Sequence, residues 1–267
     1  MVRLLLFSAL CLMLGCRPAT TLSKTPAAGT SLVPDGKLWA SFFQQRSAEY
    51  KALSYQAFNI ATMRVDEVAG RQSLRPIAVV TDIDETFLDN SPYAVKRALQ
   101  GNDYEASSWH QWTSLGVADT LPGALKFFRY AEAQGLTVFY ITNREEADRA
   151  GTLANLRRFG FPFADDAHLI MRKDVSSKES RREQVALKYQ ILLLLGDNLA
   201  DFSSLFDKKS EAERANNVGL SSEEFGRRFI ILPNTTYGGW EDAFFQQYPN
   251  NAGLNRDSLI RAALKGY

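Results

Sequence analysis

Residues 75–86 read RPIAVVTDIDET, and the fold turns on how that stretch is parsed. Arg75-Pro76 ends the preceding segment, because proline disfavours helix at its own position and at the one before. Ile77-Ala78-Val79-Val80 is a β-branched apolar run of the kind that makes a strand covered on both faces. Thr81, Asp82, Ile83, Asp84, Glu85 and Thr86 follow at once, so polar groups gather where the strand leaves the sheet. Alternate side chains of an extended chain share a face. Asp82 and Asp84 therefore either address one site together or offer it one side chain and one backbone carbonyl. An isolated Asp-x-Asp is also an ordinary acidic turn.

Outward from that strand, helix and strand alternate. Lys37 to Ala69 carries Trp39, Phe42, Phe43, Tyr50, Leu53, Ala57, Ile60 and Ala61 at helical spacing. Ser91 to Ala118 reads as mostly helical and aromatic, and Leu121-Pro122-Gly123 opens a helix that stops at Gly135. Further strands are expected at Leu136–Ile141, His168–Met171, Ile191–Leu195 and Phe229–Leu232, with helices at Glu145–Phe159 and Lys178–Tyr189. This pattern predicts the α/β class: a Rossmann-like parallel sheet with helices on both faces. Ligands in such folds sit at the carboxyl ends of the strands.

Those ends are polar throughout. The second strand runs into Thr142 and Asn143, a helix follows the third at Lys178, and the fourth ends in Gly196-Asp197-Asn198-Leu199-Ala200-Asp201-Phe202. Taken singly, Thr142 and Asn143 are helix caps and Lys178 is a solvated charge. As a set, polar groups behind four separate strands are better explained by one site. Its carboxylates are the hard oxygen ligands that Mg²⁺ prefers.

Composition narrows the chemistry. Of 267 residues, 31 are Lys or Arg and 30 Asp or Glu, a net charge of +1 that argues against a nucleic-acid polymer as partner. The two histidines, His110 and His168, cannot build a multi-histidine metal centre. Both cysteines, Cys11 and Cys16, fall at the N-terminus, so the body is expected to hold without a disulfide. Residues 1–15 carry one positive charge, Arg3, before an apolar run from Leu4 to Leu14, which has the length of a signal-peptide core and is too short to span a bilayer. Leu14-Gly15-Cys16 resembles a bacterial lipobox, with Met13 where leucine is usual. That resemblance implies acylation of Cys16, and Arg17 in place of Asp implies sorting to the outer membrane. Residues 16–36, rich in Thr, Pro, Ala, Ser and Gly, read as a tether, leaving 37–267 as the folded domain.

The long motifs Val80–Tyr93 and Gly196–Phe202 resemble the two-part signature of the class C bacterial acid phosphatases, lipoproteins of the haloacid dehalogenase superfamily, many of them 5′-nucleotidases. Phe87 stands where an aliphatic residue is usual. The resemblance implies a smaller, mainly helical cap, contributed mainly by about 37–74 and 91–118. It implies Asp82 as nucleophile forming an aspartyl-phosphate, and Asp84 as general acid and base. Thr142 and Asn143 would bind phosphate and Lys178 steady the developing charge. Mg²⁺ would be held by the Asp82 side chain, the Asp84 backbone carbonyl and Asp197, with Asp201 orienting that set from behind. An acidic pH optimum suits a carboxyl that must donate its proton. The partner implied is a small phosphomonoester, a nucleotide in particular, with Tyr237 stacking on the base and Tyr104 on its opposite face; a homodimer is also implied. Trp109 and Trp112 are expected to be structural, Arg181 and Arg182 surface charges, and Gly238-Gly239 too slight to make a phosphate loop. Two other readings stay open: a phosphatase or phosphotransferase without nucleotide preference, and a lipid-anchored lipoprotein that binds a ligand without turnover.

Overall fold

The computed structural model describes residues 31–248 and 255–267, so the expected signal peptide, Cys16 and most of the tether lie outside the described residues. Helix α1 spans Leu32–Arg46. Residues 32–36, expected to belong to the tether, are thus helical. Pro34 lies in the first turn, where an N–H has no helical partner to lose, and Leu32 N–H donates to Asp257 Oδ2 at 2.9 Å. The single helix expected over 37–69 is two. Ser47 is extended, and its hydroxyl accepts the N–H of Tyr50 at 3.0 Å, capping α2 (Ala48–Asp66).

Strand β1 (Ile77–Thr81) leads to the short β2 (Leu88–Asp89), then α3 (Ser91–Leu99) and α4 (Ala106–Ser114). β3 (Asp119–Thr120) returns to pair antiparallel with β2. There follow α5 (Ala124–Ala133), β4 (Thr137–Glu145), α6 (Arg149–Phe159), β5 (Leu169–Arg172), α7 (Glu179–Ala186), β6 (Gln190–Gly196), α8 (Glu211–Leu220), β7 (Phe229–Ile231), α9 (Gly239–Phe245) and α10 (Arg256–Ala263). The main sheet has the order β5-β4-β1-β6-β7, and every pairing is parallel.

Alternation along β1 splits the core in two. Val79 packs with Phe58 of α2, Phe127 and Phe128 of α5 and Leu156 of α6. Ala78 and Val80 face the other side with Val185 of α7 and Phe202. A parallel sheet covered on both faces is the arrangement its apolar strands require. Of the stretches expected to cap the site, α2 lends Ala57, Phe58, Ala61 and Val65 to the core, whereas α1 packs on α3. The chain moves from β1 outward through β4 and β5, then crosses back to β6 and β7. The order reverses at β1, and the crevice there collects the ends of β1, β4 and β6.

Candidate active site

Asp82 is the first residue past β1, and its N–H still donates to Leu195 of β6 at 2.9 Å. Its carboxylate is buried and receives the ammonium of Lys178, which also lies 2.7 Å from Asp201 Oδ1. Asp201 Oδ2 accepts the N–H of Asn198 at 3.0 Å, so both its oxygens are occupied by protein donors. A side chain at Gly196 would collide with Asp201, so the strand must end in glycine for the acid to sit there. Asp197 binds Asn234 Nδ2 through Oδ2 at 2.7 Å. The Thr86 hydroxyl lies 3.2 Å from Asp82 Oδ2 and 3.3 Å from Asp197 Oδ1, and its one proton can serve only one of them at a time.

Carboxylate oxygens of Asp82, Asp197 and Asp201 lie within 4.8 Å of one another. Burial, Lys178 opposing, and the charges of Asp201 and Asp84 adding to it, bring the Asp82 carboxyl from 3.8 up to about 7. Burial and the charges of Asp201 and Asp82 hold Asp197 well above the carboxylate range. Burial works against the Lys178 ammonium too, but Asp201 and Asp82 outweigh it and keep it charged. Two buried carboxylates and the half-buried Asp197 thus share a single ammonium, their other donors being neutral. The donor set fits a hard divalent cation, which would supply the missing positive charge.

Asp84 has different partners. Arg144, buried at the end of β4, forks onto it with Nη2 2.7 Å from Oδ1 and Nε 3.1 and 3.2 Å from Oδ1 and Oδ2. Asn90 Nδ2 donates to the same Oδ1 at 2.9 Å, while Asn90 Oδ1 accepts the indole N–H of Trp112 at 2.8 Å. The Arg144 guanidinium also lies 5.7 Å from the centre of the Trp109 ring. Burial and then the charge of Asp84 push Glu85, the next residue, from 4.5 up to about 8.

The β4 end is braced from α7. Thr142 is buried, and its hydroxyl accepts the N–H of Arg144 at 3.0 Å. Arg181 donates to the Thr142 carbonyl at 2.6 Å and to Asn143 Oδ1 at 2.7 Å. Arg182 donates to the carbonyls of Ala200 and Asp201 at 3.0 and 2.8 Å. Expected as surface charges, both arginines are buried, because α7 lies under two loops whose carbonyls need donors. Tyr237 sends its hydroxyl inward to Glu85 while 39% of the residue stays exposed. Tyr104 is 60% exposed and leans towards Trp109, with ring centres 6.2 Å apart. Among the described residues Tyr104 and Tyr237 do not form a ring pair.

Of the residues expected at the site, Asp82, Asp197, Asp201 and Lys178 lie in one cluster, and Arg181 ties Thr142 and Asn143 to the carbonyls of Ser176 and Ser177, just before Lys178. Sequence reading passed over Asn90, Arg144, Glu85 and Asn234. Arg144 follows Thr142-Asn143, and Asn90 lies inside the first motif, so position beside the expected residues was the signal available.

A sequence model of the HAD superfamily, subfamily IIIB (acid phosphatase), matches residues 24–240. Two crystal structures of the class C acid phosphatase from Bacillus anthracis, one with tungstate bound, superpose with a TM-score of 0.83 at 35% identity. They cover 88% of this chain and 99% of theirs. The stem 31 kDa glycoprotein of Glycine max is 28% identical over 63% of the chain and 65% of its own length. Acid phosphatase 1 of Solanum lycopersicum is 29% identical over 46% of the chain and 50% of its own. The matches thus span half to two thirds of these curated relatives. The chain belongs to subfamily IIIB of the haloacid dehalogenase superfamily, the acid phosphatases.

Proposed function

We propose that the protein hydrolyses phosphomonoesters, 5′-nucleotides in particular, through a phosphoryl group carried on Asp82 and with Mg²⁺ at the acidic cluster. The observation that supports this most is the convergence of the buried Asp82, Lys178 and Asp201 with the half-buried Asp197 at the switch point of the sheet. A phosphomonoester repels an incoming anion, so the site must neutralise its oxygens before a nucleophile can approach. Lys178 does this on one side. The Thr142 hydroxyl and the donors of the Asn143 loop do it at the end of β4. Asp82 and Asp197, with the Asp84 carbonyl, would hold Mg²⁺, which when bound supplies further positive charge to the phosphoryl oxygens.

An Asp82 carboxylate oxygen bonds to phosphorus as the ester P–O bond breaks, and Asp84 gives its proton to the departing oxygen. Asp84 then takes a proton from water as that water attacks the phosphoryl group, which returns the Asp82 carboxylate. Arg144 and Asn90 fix the Asp84 carboxyl for both transfers. The Bacillus anthracis structure holds tungstate, a tetrahedral oxyanion like phosphate, which supports an oxyanion as the ligand proposed here.

The nucleotide preference rests on Tyr237 and Tyr104, since stacking contributes on the order of 1–3 kcal/mol per base. The leader and Cys16 support export and a lipid anchor in a bacterial outer membrane. The test is phosphate release from a 5′-nucleotide, a 3′-nucleotide and an aryl phosphate, each with Mg²⁺ and with chelator. The reading predicts Mg²⁺-dependent release, fastest from the 5′-nucleotide and lost in Asp82→Asn. Equal rates on all three esters contradict the nucleotide preference, and no turnover favours a ligand-binding lipoprotein.

A further inference from the structure

Glu85 is a buried acid beside the site to which the proposed chemistry gives no task. It follows Asp84 directly, in the left-handed region at φ +55, which residues with a side chain rarely adopt. Its N–H donates to the Leu88 carbonyl at 3.0 Å, closing the turn that follows Asp84. Its Oε1 accepts the N–H of Asn90 at 2.9 Å. Its Oε2 accepts the hydroxyl of Tyr237, a residue 152 positions away in the loop after β7.

That loop has a second tie to the site. Asn234 donates to Asp197 Oδ2 at 2.7 Å, and its own Oδ1 accepts the N–H and hydroxyl of Thr236 at 2.8 and 2.6 Å. Behind it, the Trp240 indole donates to the Tyr237 carbonyl at 3.2 Å. The Tyr237 ring is therefore held by its hydroxyl end, while part of the residue stays exposed.

We propose that the hydrogen bond between Glu85 and Tyr237 is a specificity latch, in which Glu85 is a positioning residue that presents the Tyr237 ring to the leaving group and favours esters bearing a flat ring over small aliphatic ones. The inference rests on the nucleotide reading above. A ring already ordered has no rotamer freedom left to lose when it stacks, so the latch acts on binding. The bonds made and broken at phosphorus do not pass through Glu85, so its loss is carried by KM.

The test uses the full chain with Mg²⁺, measuring KM and kcat on a nucleoside 5′-monophosphate and on glycerol phosphate. Glu85→Gly removes the carboxyl while tolerating the positive φ. Tyr237→Phe keeps the ring and drops the hydroxyl. Each is expected to raise the nucleotide KM about tenfold relative to that for glycerol phosphate, the scale of one hydrogen bond to a partly buried group. Glu85→Gln, whose amide still reaches the Tyr237 oxygen, stays within about threefold of the parent, and the double variant is no worse than either single one, as a shared contact requires. A wild type that discriminates while Glu85→Gly discriminates equally well overturns the latch alone. Multiplying effects of the two singles, or a kcat loss shared by both esters, overturns it also. Equal wild-type KM values for the two esters overturn the nucleotide reading itself. Should Glu85→Gly fail to fold, Tyr237→Phe against Glu85→Gln decides.

Discussion

Asp197 shows how function and stability pull apart within a single residue. It is a half-buried carboxylate whose bonds are to the neutral Asn234 and Thr86, and desolvation with the charges of Asp201 and Asp82 disfavours its ionised form. Without a cation, Asn in its place removes like-charge repulsion and leaves the packing nearly unchanged. Asp197→Asn is therefore expected to melt higher than the parent in chelator, by a few degrees, and to lose most Mg²⁺-dependent activity. A lower melting temperature in chelator would mean that the acidic cluster is a net stabiliser, contrary to the balance drawn here. Lys178 is the reverse case, since its removal leaves Asp82 and Asp201 buried without their counter-charge.

At the scale of the element, the site depends on how tightly strand ends meet the loops beyond them. Gly196 ends β6 where a Cβ would collide with Asp201. Gly196→Ala must displace Asp201 and with it the Lys178 clamp, so a loss of kcat of about 10²-fold is expected, within the range for misplacing a catalytic group. Calorimetry should record the same variant as destabilised by about 1–3 kcal/mol, the usual cost of overpacking; parent-like kcat would show that Asp201 has room to move. Phe87, one residue after Thr86, anchors that loop from below. It is fully buried, with ring centres 4.8 Å from Phe161 and 5.2 Å from Phe128. The five strands of the main sheet were legible because each is a short apolar run, and apolar runs report burial directly. Helices α8, α9 and α10 were not assigned: half of Glu211–Leu220 is polar, and α9 and α10, of 7 and 8 residues, are too short for an apolar period to repeat. Arg144, Arg181 and Arg182 were illegible for another reason. Asp84 lies 60 positions from Arg144 and Thr142 lies 39 from Arg181, so only the fold shows that these charges have buried partners.

Across the whole molecule, these buried acids tie stability to pH. Asp82 moves from 3.8 to about 7 and Glu85 from 4.5 to about 8 on folding. Between those limits the folded state binds more protons than the unfolded chain, so stability falls as pH rises through the window. His110, held up first by its bond to Asp148, acts in the same direction, and the acids lowered by partners, such as Asp103 and Asp148, lose their contribution only below the usual carboxylate range. The metal-free protein should thus melt several degrees lower at pH 8 than at pH 5, with Mg²⁺ recovering more of the loss at pH 8, where its ligands are ionised. A melting temperature that climbs with pH in chelator would contradict the assignment. The central claim is that the phosphoryl group passes through Asp82. The most direct test is to quench Asp84→Asn with acid during turnover of an aryl phosphate and map the phosphorylated peptide by mass spectrometry. The account predicts one phosphoryl group, on Asp82 within the 77–90 segment, removable by hydroxylamine. Turnover with no phosphorylated residue, or with the group on another side chain, would contradict it.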